Sequence, residues 1–342
     1  MNEEDYAIVI GVSYRGLPPL KATLADATRF MEWLRSPEGG NLPDKNIKAF
    51  LSPQPVPTDL DAGRPIGDDI SRALTEIGVK WDSKRVGRRL YFYFTGHGLG
   101  PRFDDVAMLM GDSGFGRFER NIGLHPYRTR FYDQAPFDEV VIILDCCRDP
   151  ERPPTAGPGP ATNNNGPVRE IQDFVVLAAP YGEKAFEAID NDTGDRRGFL
   201  TKALLEGLTD PMRADAEGRF TSSSLREYLV RRVPQLALGI GEEQEPKFEL
   251  PDDVIVFSEG TAPRVLVHIV AKAGLAGELV LRNGNDLREI ERRPAADVTK
   301  KKPWIKKLVR NSRYELAHTG SGKTMIFDLS TAKEEPHVVQ FK

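Results

Sequence analysis

Val140-Val-Ile-Ile-Leu-Asp-Cys-Cys-Arg-Asp-Pro150 contains both cysteines of the chain. Its five leading apolar residues show no polar alternation. That is the pattern of a strand buried on both faces, as in a parallel sheet covered by helices. Similar runs occur at 6–12 (YAIVIGV), 91–94 (YFYF) and 174–179 (FVVLAA), with a shorter strand expected at 46–52. Between and after them, apolar residues recur at helical spacing in 22–36, 66–82, 199–208 and 223–236. The alternation predicts an α/β fold, a mostly parallel sheet sandwiched by helices, closed by a last strand at 252–257.

From about Thr261 the texture changes to short strands with turns at Asn283-Gly284 and Thr319-Gly-Ser-Gly322. The expected organisation is a first domain over 1–258 and a small all-β, sandwich-like domain over 261–342. Residues 149–170, rich in Pro, Gly and Asn, read as a flexible linker within the first domain. The basic run 299–310 (TKKKPWIKKLVR) reads as a solvated loop. Ala317–Thr324 fits the loose A-x4-G-K-T phosphate-loop pattern, but strand-like residues follow it instead of a helix, so a hairpin turn is expected.

The 342 residues are 39% hydrophobic and carry a net charge of −4. This gives no electrostatic case for nucleic acid or an anionic membrane as partner. No stretch reaches the ~20 apolar residues of a membrane span, and the N-terminus lacks the basic region of a signal peptide. A cytoplasmic protein is the expectation. Two adjacent cysteines exclude a disulfide framework, and without Cys-x-x-Cys or His-x-x-x-His spacing no structural zinc site is expected.

In sheets of this kind ligands bind beyond the carboxyl ends of the strands. Thr95-Gly-His-Gly98 and Asp145-Cys-Cys-Arg-Asp149 both stand there, each just after a buried run. A cysteine nucleophile needs a base, an exposed position and oxyanion donors. His97 is the candidate base, and the backbone N–H groups of Gly98 and Cys147 are the candidate donors.

At these residues the chain resembles the caspase-like cysteine peptidases, in particular metacaspases and their bacterial relatives, the orthocaspases. The caspase pattern Gln-Ala-Cys-Arg-Gly follows its histidine by about fifty residues, as Cys147 follows His97. The resemblance spans roughly 5–257 and rests on YAIVIGVSY, the ATLADA helix start, YFTGHG, ILDCC, FVVLAA and GFLTKALLEGL. It implies that Cys147 is the nucleophile of a Cys-His dyad working through a thioester. Cys146 takes the place of a small residue and is expected to be buried filler.

The resemblance also implies cleavage after basic residues, Arg over Lys, in a pocket formed by Asp26, Thr95 and Asp145. Two carboxylates suit a guanidinium. Arg15 is a counter-signal, since a basic residue after the first strand helps caspases bind Asp. Arg148-Asp149 departs from the usual sequence after the nucleophile. Many metacaspases need calcium, but Asp104, Asp105, Asp112, Asp190 and Asp192 do not map onto a site, so no metal and no cofactor are expected. Relatives are often zymogens cut after the nucleophile; Arg169 is the expected self-cleavage position, and Arg196 or Arg197 the second choice, with an upstream activating protease as the alternative. The expected partners are protein or peptide substrates. The main rival is a catalytically inactive caspase-like scaffold that works by binding, against which the presence of both His97 and Cys147 weighs. A second is a doubly wound hydrolase of small amides or esters, against which the long 181–198 segment weighs.

Overall fold

A parallel strand buried on both faces must be apolar throughout, and the runs that meet this condition are the central strands of a mixed α/β structure. The computed structural model describes all residues except 81–83, 151–168, 192, 211–212, 216–217, 260–263, 273, 285–286, 311, 331, 333–335 and 342. Most of the expected linker and Asp192 therefore lie outside the described residues.

In chain order the elements are β1 (Asp5–Gly11), α1 (Thr23–Arg35), β2 (Ile47–Leu51), α2 (Gly67–Glu76), β3 (Gly87–Thr95), β4 (Gly98–Leu99), β5 (Ala107–Leu109), β6 (Asn121–Gly123), α3 (Leu124–Gln134) and β7 (Phe137–Asp145). There follow β8 (Gln172–Leu177), β9 (Glu187–Ile189), β10 (Arg196–Gly198), α4 (Phe199–Thr209), β11 (Arg219–Thr221), α5 (Ser222–Leu238), β12 (Lys247–Glu249) and β13 (Val256–Glu259). The remaining strands are β14 (Arg264–Ala271), β15 (Glu278–Asn283), β16 (Glu289–Pro294), β17 (Trp304–Val309), β18 (Arg313–His318), β19 (Thr324–Asp328) and β20 (His337–Phe341).

The chain divides into two compact units, residues 1–209 with 221–258, and residues 210–220 with 259–342. In the first, six strands form a sheet in the order β12-β8-β7-β3-β1-β2. The strands β1, β2, β3, β7 and β8 are parallel, and β12 alone runs antiparallel at the edge. The edge strand is β12; the last strand expected at 252–257 forms only from Val256, as β13, and lies outside this sheet. No described helix is long and apolar enough to cross a membrane.

Alternate residues of each strand enter opposite layers. Ile8, Ile10, Phe92, Phe94, Ile142 and Leu144 share one core with Ile70 and Leu74 of α2 and Tyr127 and Phe131 of α3. On the other face Phe30 of α1 stacks on Tyr93 with ring centroids 4.5 Å apart. The Tyr93 hydroxyl and the Thr201 hydroxyl of α4, buried together, lie 2.7 Å apart. Sequence periodicity missed α3, the small sheet β4-β5-β6 and the β9-β10 hairpin, all short or weakly patterned.

In the second unit, sheets β17-β14-β20 and β16-β15-β18-β19 share one core that includes Val267, Leu281, Trp304 and Leu316. The basic run expected to be a loop is in part a strand. Trp304 and Leu308 of β17 point inward, while Ile305 and Lys307 are exposed. The charges obscured this two-residue alternation. The Lys323-Thr324 pattern lies at a turn between antiparallel β18 and β19, as expected of a hairpin.

Phe30 is fully buried between Trp33 and Tyr93. Phe30→Ala is expected to cost about 3–5 kcal/mol in urea unfolding; a loss under about 1 kcal/mol would show that α1 is not held through this ring.

Candidate active site

The pairing of β3 with β7 sets Thr95 directly opposite Asp145. The two residues beyond each place His97 and Cys147 at the same edge of the sheet. Both line one cleft, with Thr23, Thr95, Asp145, Ala185, Glu187 and Gly198. Cys147 is half-buried, whereas Cys146 is buried in the core that also holds Phe94 and Leu144.

Gly98 packs closely against the two cysteines. A Cβ at this position would lie 2.5 Å from Cys146 Sγ and 2.7 Å from the Cys147 carbonyl oxygen. Backbone at 98 therefore rests directly on Cys146. Gly98 pairs with Met108 in the antiparallel β4–β5 ladder, and the neighbouring bond runs from Leu109 N–H to the His97 carbonyl at 3.0 Å. In that pattern Gly98 and Met108 are a non-hydrogen-bonded pair, so Gly98 N–H faces away from β5. The Cys147 N–H has no hydrogen-bond partner among the described residues.

His97 is held from two sides. Its backbone N–H donates to the Tyr14 hydroxyl at 3.0 Å, and that hydroxyl donates to the Leu109 carbonyl at 2.6 Å. Its ring Nε2 lies 2.7 Å from the Pro18 carbonyl oxygen. A carbonyl only accepts, so Nε2 carries the proton and Nδ1 of the neutral ring keeps its lone pair. Burial lowers the imidazole pKa.

The Cys147 sulfur accepts from Ala185 N–H at 3.3 Å. Burial pushes the thiol pKa up, opposed by this hydrogen bond. Both shifts favour the neutral thiol–imidazole pair over the ion pair at rest. Arg148, next in sequence, is buried and donates to the carbonyls of Phe103 (2.7 Å) and Asp105 (3.1 Å). Its backbone N–H and C=O bond Glu183 and Gly182, each at 2.9 Å, so the turn after Cys147 is fixed from below.

Of the three expected pocket residues, Thr95 and Asp145 line the cleft and Asp26 does not. Asp145 accepts from the Thr201 N–H at 3.0 Å and hydroxyl at 2.7 Å. Burial raises its pKa to about 7, against these bonds and with the nearby Asp26 adding to the rise. Asp26 is wholly buried; it accepts from Gly198 N–H at 2.7 Å and Arg197 Nε at 2.8 Å. Burial raises its pKa as well. The two carboxylates thus satisfy N–H groups at the start of α4 that have no partner within the helix. A Cβ at Gly198 would lie 2.5 Å from Asp145 Oδ2 and 3.2 Å from Asp26 Oδ2, so this glycine separates them.

Arg15 is exposed and is not among the cleft residues. Arg169 is anchored far from the cleft, paired with Asp138 at 2.9 Å and bonded to the Ala135 carbonyl at 3.0 Å. Asp138 to Asp145 spans roughly 23 Å at ~3.3 Å per residue, and Cys147 lies beyond Asp145. Among the described residues no cluster of three or more His, Cys, Asp or Glu side chains is arranged to hold a metal. Asp104 and Asp190 pair instead with Arg102 and Lys202, and Asp105 accepts backbone N–H bonds from Val106 and His125.

Sequence reasoning missed Tyr14, the Pro18 carbonyl, Ala185 and Glu187. The Glu187 carboxylate accepts from the N–H groups of Lys21 (3.0 Å) and Ala22 (2.9 Å) at the start of α1. Glu187 fastens the hairpin to α1, and Asp26 fastens α1 to the hairpin. No periodicity signals such contacts, which cross ~165 residues of chain.

No family model matches the chain. Over 240 residues, 67% of its length, it is 29% identical to a protein of a Desulfuromonadales bacterium named as a probable protease. The match covers 28% of that protein, so the chain spans little more than a quarter of its relative's length.

The raised thiol pKa predicts that Cys147 is alkylated slowly by iodoacetamide at neutral pH, with the rate rising at a higher pH than for free cysteine assayed alongside. A midpoint below that of free cysteine would mean that the resting site holds the ion pair.

Proposed function

We propose that the chain is a caspase-like cysteine endopeptidase of the metacaspase and orthocaspase type, which cuts proteins and peptides after Arg and, less well, after Lys. The observation carrying this reading is that His97 and Cys147 line one cleft, with His97 Nε2–H committed to Pro18 and Nδ1 left as the base. The similarity to a probable protease supports the hydrolytic class. Peptidase activity belongs to residues 1–258, with 261–342 as a β-sandwich appendage.

Cys147 passes its proton to His97 Nδ1, and the sulfur attacks the scissile carbonyl. The N–H groups of Gly98 and Cys147 hold the oxyanion. The C–N bond breaks as the imidazolium returns the proton to the leaving amine, giving a thioester. Water, deprotonated by His97, then releases the acid and restores the thiol. This chemistry requires no cofactor. Asp145 receives the substrate guanidinium, with Thr95 beside it.

Cys147→Ala and His97→Ala are each expected to abolish most activity, and the double variant to lose little more, because the pair acts as a unit. Cys146→Ala retains activity; loss there with Cys147→Ala active would reverse the assignment of the nucleophile. Cleavage of aspartyl peptides in preference to arginyl ones would overturn the basic specificity.

The Asp145 pKa of about 7 sets a pH dependence. The carboxyl is neutral below this value, so the affinity of Cys147→Ala protein for arginine amide, measured by calorimetry, should fall by up to about tenfold per unit as pH drops below ~7. Asp145→Asn should bind weakly at every pH. An affinity independent of pH between 5 and 8 would remove Asp145 from the binding role.

Activation by a cut after Arg169 belongs to the same reading, either by an upstream protease or by the enzyme itself. The anchorage of Arg169 near the start of β7, at the opposite end from Cys147, favours a second molecule as the agent. Purified protein should then be processed with second-order kinetics. Wild type should also cleave added Cys147→Ala protein, and Arg169→Ala should be resistant. Processing at a rate independent of concentration would argue against this.

A further inference from the structure

The two carboxylates proposed to receive a basic side chain are not equally available. Asp145 lines the cleft with one oxygen engaged by Thr201. Asp26 is fully buried, with both oxygens taken: Oδ1 by Arg197 Nε at 2.8 Å and Oδ2 by Gly198 N–H at 2.7 Å. Arg29 adds a second cation 3.5 Å from Oδ1 and is itself paired with Asp195. The Arg197 side chain is only 11% exposed, so water screens its pair with Asp26 weakly.

Gly198 follows Arg197 directly and is the residue between the two carboxylates. The guanidinium of Arg197 thus engages one member of a carboxylate pair, as the guanidinium of a substrate would.

We propose that Arg197 is an internal occupant of the pocket for basic residues: it neutralises Asp26, leaves Asp145, with Glu187 beside it in the cleft lining, to face substrate, and competes with a substrate arginine for the Asp26–Asp145 pair. This rests on the reading of the cleft as a site for basic side chains. Arg197 is here a specificity-determining residue that acts through Asp26. A substrate arginine gains the second carboxylate only when β10 releases Asp26. Lysine, with a compact ammonium that one carboxylate can hold, loses less by the occupation. Arg197 therefore narrows the preference for Arg over Lys.

The test compares wild type with Arg197→Gln. The expected result is a roughly tenfold lower KM for an arginyl peptide, kcat within twofold, and a higher Arg-to-Lys ratio of kcat/KM. Adding Asp26→Asn should return KM to the wild-type value. An unchanged or raised KM, a fall in kcat alone, or a gain that survives Asp26→Asn would overturn the proposal and leave Arg197 as a structural clasp.

Calorimetric binding of arginine amide and citrulline amide to the Cys147→Ala protein, with and without Arg197→Gln, separates the two ways of failing. If neither protein prefers arginine amide, the reading of the cleft fails and the proposal falls with it. If both prefer it equally, only the occupancy by Arg197 fails. Should Arg197→Gln not fold, Arg197→Lys carries the expectation in weaker form, a two- to threefold gain in affinity for arginine amide, because an ammonium lacks the fork that grips a carboxylate; no gain overturns the proposal.

Discussion

The pairing of Thr95 with Asp145 in adjacent parallel strands is the constraint on which the site depends. Parallel strands end at the same edge, so two segments fifty residues apart deliver an imidazole and a thiol to one cleft. A slip of one residue in this register would turn every side chain of β7 to the opposite face. Ile142 and Leu144 on one face and Val141 and Ile143 on the other are all buried, so a slip would set side chains of different shape into close-packed layers. The packing of apolar runs thus fixes which polar residues emerge beyond them.

Around that frame the polar groups serve two ends at once. Asp26 and Asp145 satisfy the first N–H groups of α4, and Glu187 satisfies those before α1. Carboxylates at helix N-termini are stabilised by the exposed N–H groups there. Their burial raises the pKa values of Asp26 and Asp145, a tension between helix capping and desolvation. Stability follows from the sign. The folded state retains the Asp145 proton between about pH 4 and 7, where the unfolded chain has lost it, so this group's contribution declines as pH rises through that window.

Much of the fold could be read from the sequence because double burial leaves a plain mark: YAIVIGV, YFYF, VVIIL and FVVLAA became β1, β3, β7 and β8. His97 and Cys147 were legible because each follows such a run. The β9–β10 hairpin was not, since Glu187–Ile189 and Arg196–Gly198 have three residues each, too few for a periodicity to show. The state of Asp26 was equally hidden, because its partners Arg197 and Gly198 come from a segment over 170 residues away. The β17 strand was masked because Lys306 falls on the inward face between Trp304 and Leu308, which breaks the apolar alternation in the sequence.

The seat of Gly98 on Cys146 bears on oxidation. Cysteine is repaired from the sulfenic acid most directly when a second thiol in the same protein can condense with it. Here the only other thiol, Cys146, is buried in the core with the Gly98 backbone packed closely against its sulfur. A Cys147 oxidised by peroxide is therefore poorly placed to be resolved by Cys146, which is buried. Its recovery depends on a small thiol entering the cleft, so the shape of that cleft governs repair.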